Sequence, residues 1–326
     1  MSADAQFSDE RDRDGRQSED VTDDEALRDA VERSEHGVPA AGAVVRDRFS
    51  ADEIFHRIVA AADDEITTGT RELFFSALAA GFAITLTFML YASLTEATGG
   101  APIAGALLYP LGFVYIIIGD YQLYTENTLP PVALVLERLA SVPALLSVWT
   151  IVLFGNLAGG TLGAYVLANT GVFSPDTMAV AVEIAESAAA TPWWDLFFKG
   201  IFAGLIVAGV VWLDYASQDT TSRLVLVYIA FLAIPLGNLF HGVVSATEAT
   251  FLVFRGQLPL ATGAFDFVLP VLLGNTLGGI VLVTVVNYFQ AVEREYQSQN
   301  YQLSTRELLF GKYGGSDYAP SADADD

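Results

Sequence analysis

The sequence has no cysteine and only two lysines, Lys199 and Lys312, against 39 acidic residues in 326. Without cysteine there is no disulfide framework, no thiol nucleophile and no thiolate metal site. Charge is also scarce over residues 72–292, where long runs are almost uncharged although the chain carries a net charge of −23. Nothing in the sequence asks for nucleic acid, and no residue set asks for a cofactor. The few ionisable groups inside the apolar runs include one histidine, His241, too little for a zinc site or a Ser-His-Asp set.

What is present divides into two compositions. The acids concentrate at the start of the chain, as in RDRDGRQSEDVTDDEALRD, and residues 1–50 read as a disordered acidic leader. Acidic, lysine-poor solvent-facing segments suit a protein kept hydrated in very high salt; an ordinary acidic tail is the plainer alternative. ADEIFHRIVAAADDEI (51–66) places Ile54, Ile58, Val59 and Ala62 at helical spacing. It reads as an amphipathic helix at the membrane surface, within a segment spanning 51–70. The polar stretch 293–326 reads as a C-terminal tail.

Between these lie apolar runs at 73–94, 102–119 continuing weakly to 136, 143–168, 197–215, 223–254 with interruptions, and 267–289. A helix needs about 20 apolar residues to cross the hydrocarbon core. The expected fold is therefore all-α: a polytopic protein of the cell membrane with six transmembrane helices in a channel domain over 71–292. The first apolar run starts too far from Met1, behind too acidic a leader, for a cleaved signal peptide. Basic residues gather in the flanks and in the connections carrying Arg138 and Arg223, which places both termini in the cytoplasm.

The domain repeats internally. VLFGNLAGG (152–160) returns as VLLGNTLGG (271–279), so Asn156 and Asn275 correspond at an offset of 119. FFSALAAG (74–81) returns as FFKGIFAG (197–204) at 123, and TENT (125–128) as TEAT (247–250) at 122. Two three-span units, about 71–168 and 195–290, must lie in opposite orientations, an inverted repeat that puts a route near the midplane at their interface. The glycines allow close helix approach, and the two asparagines can bond exposed backbone across that contact. The second and fifth spans look broken, by GDYQLYTENTLPP and by Pro235, Gly237 and Gly242 around His241. Irregular backbone at that depth belongs where it is buried in protein or lines a cavity, and half-helix ends suit anions.

The stretches IIIGDYQLYTEN, GIFAGLIVAGVVWL and FVLPVLLGNTLGG, with a histidine in the broken fifth span, resemble the formate/nitrite transporter family over roughly 70–290. The resemblance implies an aquaporin-like six-helix fold, a homopentamer with a pore in each protomer, and transport of small monovalent anions or their acids. It implies that Leu123, Tyr124 and Thr125 form the loop beside the pore, that His241 is the central pore histidine, and that Asn275 faces it. The chain departs from the family at Gly204, where asparagine is common, at Phe240, where an acid is common, and at Glu126, added near the route.

A bare anion in low dielectric costs tens of kcal/mol. Protonating a carboxylate of pKa about 3.5 at neutral pH costs about 5 kcal/mol, so the neutral acid is the form that crosses an apolar constriction. A histidine there can donate a hydrogen bond or relay a proton, or it can serve packing alone. Lys199 opens the fourth span and either draws anions into a vestibule or snorkels to the interface. Asp214 and Glu248 are unexpected acids, read as caps or as partners across protomers. The expected partners are a small anion or weak acid, the lipid bilayer and further copies of the chain. An aquaporin-type neutral-solute channel, which should carry paired Asn-Pro-Ala boxes, and a non-transporting regulatory membrane protein are the alternatives.

Overall fold

The computed structural model describes residues 49–290 and 302–314. The acidic leader lies outside the described residues except for its last two positions, and so does most of the tail expected over 293–326. Every regular element described is helical apart from one isolated bridge between Ala140 and Gly314.

Helix α1 (Ala51–Thr67) starts at a capping box in which Ser50 and Glu53 satisfy each other's backbone N–H. Its buried face, Ile54, Phe55, Ile58, Val59 and Ala62, packs on protein, against Leu129, Ala133, Ala208 and Val211. Helix α2 (Thr70–Ala97) is long and apolar enough to cross a membrane. The next apolar region is divided into α3 (Pro102–Ala106), α4 (Leu111–Ile118), a 3-10 turn over Glu126–Thr128 and α5 (Pro130–Leu136), which Pro130 and Pro131 open without losing a helical N–H bond.

Helix α6 (Val142–Asn169) is again long enough to span. It is followed by α7 (Pro175–Ala189), capped by Ser174 and burying Thr177, Ala181 and Ala185 at a spacing of four. Helix α8 (Trp193–Ala216) is the third long apolar helix. The following region divides into α9 (Thr220–Leu236), with Pro235 inside its last turn, and α10 (Gly242–Phe254). The fourth long helix, α11 (Leu260–Gln290), relaxes into wider turns at Gly263–Val268 and Gly278–Val285. Last comes α12 (Thr305–Phe310), beside which Leu303 N–H donates to the Arg138 carbonyl at 2.9 Å.

Two helix pairs frame the interior: α2 lies along α6, and α8 along α11. Glycines permit both contacts. A Cβ on Gly81 would strike the backbone carbonyl of Asn156, and a Cβ on Gly204 that of Asn275. Gly159 meets Leu78 and Gly278 meets Ile201 in the same manner, at offsets of 119 and 123. The interrupted segments are enclosed by these pairs, with Phe113, Leu123, Phe231, Val243 and Val244 in one buried cluster. Large apolar side chains such as Phe75, Phe154, Phe202 and Phe265 remain exposed.

Candidate functional site

The two breaks are built alike. After α4 the chain turns at Asp120, φ 57°, and after α9 at Asn238, φ 51°, an offset of 118. Acid and amide side chains tolerate this left-handed region better than most. Asn156 then holds the first break: its Nδ2 donates to the carbonyls of Ala77 at 2.8 Å and Gln122 at 2.9 Å, and its Oδ1 accepts from Tyr124 N–H at 2.8 Å. Asn275 holds the second: its Nδ2 donates to Gly200 at 2.8 Å and Phe240 at 3.0 Å, and its Oδ1 accepts from Gly242 N–H at 2.7 Å. Both side chains are fully buried, and each supplies backbone groups that the helix breaks leave without partners. Asn275 thus brackets His241 through the two neighbouring backbone groups and makes no bond to the imidazole.

The breaks meet at Thr125 and His241, whose Oγ1 and Nε2 lie 2.8 Å apart. Each residue is 1% exposed. Thr125 is anchored by its carbonyl, which accepts from Thr128 Oγ1 at 2.8 Å. His241 precedes the first turn of α10, with its carbonyl accepting from Ser245 N–H at 2.9 Å. The imidazole abuts Phe113 edge to face at 4.9 Å, and Phe113 stacks on Phe231 at 3.8 Å. His241 Nδ1 is buried and unpartnered. The result is a polar bridge inside an apolar collar formed by Leu123, Phe113 and Phe231.

A cavity lies on either side of this collar. The distal cavity, about 350 Å³, is lined by His241, Phe240, Tyr91, Tyr109, Ser245 and Glu248 among others. On the opposite side, near the start of α2, one space of about 220 Å³ and another of about 60 Å³ share Glu65, Asp120, Gln122 and Tyr215, and Glu126 lines the smaller. Leu123, Thr125, Phe113 and Phe231 line neither side's cavities. Glu65 Oε2 is buried without a partner although the residue is only half-buried. Burial, with Asp120 and Asp64 nearby, pushes this carboxyl up to about 8.

The remaining candidates distribute around this core. Tyr124 OH sits 2.9 Å from Thr276 Oγ1 and its ring packs edge to face on Trp149, so it ties the loop to α6 and α11. Lys199 does not line the distal cavity; its Nζ lies 5.5 Å from the centre of the Phe240 ring, which does. Asp214 receives both Nε and Nη2 of Arg223, at 2.5 and 2.6 Å, a pair within the chain rather than across protomers. Sequence reasoning missed the acids gathered at the α1-side mouth, Glu65 and Asp120, and the place of Glu248. Among the described residues no three His, Asp or Glu side chains assemble a metal site.

Long apolar helices, a central pair of interrupted segments and a cavity on each side of a buried polar bridge define a polytopic membrane transport protein. The family described as formate/nitrite transporter matches residues 52–289, most of the chain, and the protein belongs to that family. It is a multi-pass membrane transporter rather than an enzyme. Inner membrane protein YfdC of Escherichia coli is 26% identical over 80% of this chain and 82% of its own length. Formate channel FocA of Haemophilus influenzae is 28% identical over 65% of this chain and 84% of its own length. Among solved structures, an FNT family ion channel superposes with a TM-score of 0.67 at 20% identity, covering 73% of this chain and 98% of that one. A pentameric formate channel with formate bound superposes with a TM-score of 0.59, also at 20% identity, over 69% of this chain and 98% of that one.

Proposed function

We propose that the protein is a channel or transporter for small monovalent anions such as formate or nitrite, passing them as their conjugate weak acids in a pH-dependent manner. The observation that carries this reading is the Thr125–His241 bridge, buried in an apolar collar between two cavities. A permeant there must shed its water and meet one hydroxyl and one imidazole. That environment favours a small neutral acid able to donate and accept one hydrogen bond each way.

The architecture in this reading is three plus three crossings in opposite orientation, with residues 102–136 as the broken second crossing and 220–254 as the broken fifth. Both termini face the cytoplasm, since Arg57, Arg71, Arg138, Arg223, Arg306 and Lys312 belong to the α1 side. The chain assembles as a homopentamer in the plasma membrane, its exposed phenylalanines meeting lipid and neighbouring copies. Leu123, Tyr124, Thr125, Phe240, His241 and Lys199 lie along or beside the route, while Asn156 and Asn275 hold the two breaks open. One observation favours an aquaporin-like neutral-solute channel as second reading: Glu183 and Glu248 at one mouth, and Asp64, Glu65, Glu72 and Asp120 at the other, would discourage a bare anion.

Flux in proteoliposomes decides between them. Formate uptake that rises as external pH falls, with glycerol and water excluded, supports the weak-acid reading. Rapid glycerol or water permeation without formate flux selects the neutral-solute channel, and no flux of any solute leaves a regulatory membrane protein.

A further inference from the structure

We propose that Glu248 and Glu126 are proton-exchange residues, one on each side of the Thr125–His241 constriction. They hand a proton to an arriving weak-acid anion at one mouth and recover it at the other. The proposal rests on the weak-acid reading above and assigns the groups that perform the proton transfer in it.

Two observations converge. Each residue lines a cavity on its own side of the constriction: Glu248 the distal one, which His241 also lines, and Glu126, next in sequence to Thr125, the small one on the α1 side. Neither has a structural partner among the described residues. Glu248 is 7% exposed with no hydrogen bond or ion pair to its carboxyl among the described residues, and Glu126 Oε1 is buried without a partner. The contrast is Asp214, a buried acid with Arg223 clamped on both oxygens. An intramembrane carboxyl with no cation or donor has no packing explanation, and groups of this kind mark proton routes.

Their surroundings suit exchange at both ends. Glu248 shares its cavity with the titratable groups of Tyr91, Tyr109, Glu183 and His241, and with the unpartnered hydroxyls of Thr95 and Ser245. Glu126 faces Glu65, Asp120, Tyr121, Tyr215 and the Asp214–Arg223 pair. Glu65 and Asp120 also line the wider α1-side space with Asp64 and Glu72, so carboxyls run from that mouth to the constriction.

The transfer balances. The O–H bond of protonated Glu248 breaks as an O–H bond forms on the entering anion, leaving a glutamate carboxylate and a neutral acid. The acid crosses the collar, and its proton passes to ionised Glu126, releasing the anion on the far side. Water in each cavity returns Glu248 to its protonated and Glu126 to its ionised form, so one proton travels with each anion, and every step reverses.

The test uses full-length protein in proteoliposomes with formate as the probe and an internal pH dye to count protons. Wild type should move formate and protons together. Glu248→Gln should lower formate flux about a hundredfold, the low end for a positioned acid, and abolish its response to pH on the distal side. Glu126→Gln should abolish the response to pH on the other side. Glu248→Asp and Glu126→Asp should retain proton movement. Gln variants that keep wild-type flux and wild-type sidedness overturn the pair while leaving the weak-acid reading intact. Gln variants that fail to assemble make the carboxyls structural and likewise overturn it. Wild type that passes glycerol and no formate removes the weak-acid reading itself.

Discussion

Asn156 and Asn275 make the same three hydrogen bonds, one set to the break before α5 and the other to the break before α10. Each accepts from one backbone N–H and donates to two carbonyls, one on a long helix and one in the break. The amide is the smallest side chain that offers this combination, which explains why a polar residue stands in the middle of an apolar helix.

Replacing either asparagine should therefore reduce stability before it changes selectivity. Asn275→Ala removes three bonds at about 1 kcal/mol each and leaves the buried Gly242 N–H unsatisfied. A lower unfolding midpoint in detergent, with a loss on the order of 3 kcal/mol, is the expected result. Asn275→Asp keeps the acceptor for Gly242 but loses both donors, and should also be destabilised. Unchanged stability in both would separate the asparagine from the backbone it touches.

The glycines of the long helices should divide sharply. Gly204→Ala places a carbon against the Asn275 carbonyl, whereas a Cβ on Gly209 meets nothing within 4 Å. Gly204→Ala should lower the unfolding midpoint and weaken assembly. Gly209→Ala should raise stability by about 0.5–1 kcal/mol through helix propensity.

Glu65 gives the α1-side mouth a pH dependence. Its carboxyl is pushed up to about 8 in the fold against 4.5 for the free group, so between these values the folded chain holds a proton that the unfolded chain has released. The stabilisation is complete below pH 4.5 and is lost as pH rises through 8. The unfolding midpoint should fall across that window, and Glu65→Gln should flatten this part of the profile. A Glu65→Gln profile with the wild-type slope would assign the dependence to another group.

How much of this was legible in the sequence varies with the physical signal. The offsets of 119 and 123 reported the repeat because identical backbone contacts require the same small and polar residues in both halves, whereas the TENT/TEAT match at 122 is out of register with the structure, where Thr128 meets Gly279 as Thr247 meets Gly160, an offset of 119. Asn156 and Asn275 could be assigned to exposed backbone for that reason. The interruptions at GDYQLYTENTLPP and around His241 were visible as proline and glycine at membrane depth. By contrast, nothing in the apolar pattern announces α7, because its buried positions are alanine and threonine, which carry little hydrophobic signal. The apolar stripe of α1 fixed a helix but not its partner, and in the structure it covers α5 and α8. The Phe113–Phe231 stack joins residues 118 apart, and no local pattern announces it.

Lys199 stands outside the distal cavity, with its ammonium over the Phe240 ring. From there it can raise the local concentration of anions without binding one. Lys199→Ala should slow formate entry at low ionic strength, with the deficit shrinking in high salt as screening shortens the field. A deficit independent of salt would mean that the lysine supports Phe240 through packing instead.

His241 is the residue on which the weak-acid reading turns. Above the pKa of formic acid the neutral fraction falls about tenfold per pH unit, so wild-type flux should rise as external pH is lowered. His241→Asn keeps a hydrogen-bonding group facing Thr125 Oγ1 but cannot titrate; it should pass formate with an altered pH response. His241→Phe removes the bridge and extends the apolar collar already formed by Phe113 and Phe231. It should lose most of the flux and nearly all of its pH dependence, since no polar group remains to meet the acid where it is least hydrated. If His241→Phe instead transports formate with the wild-type profile, the imidazole is a packing residue bonded to a threonine. Selection must then reside in the cavities on either side.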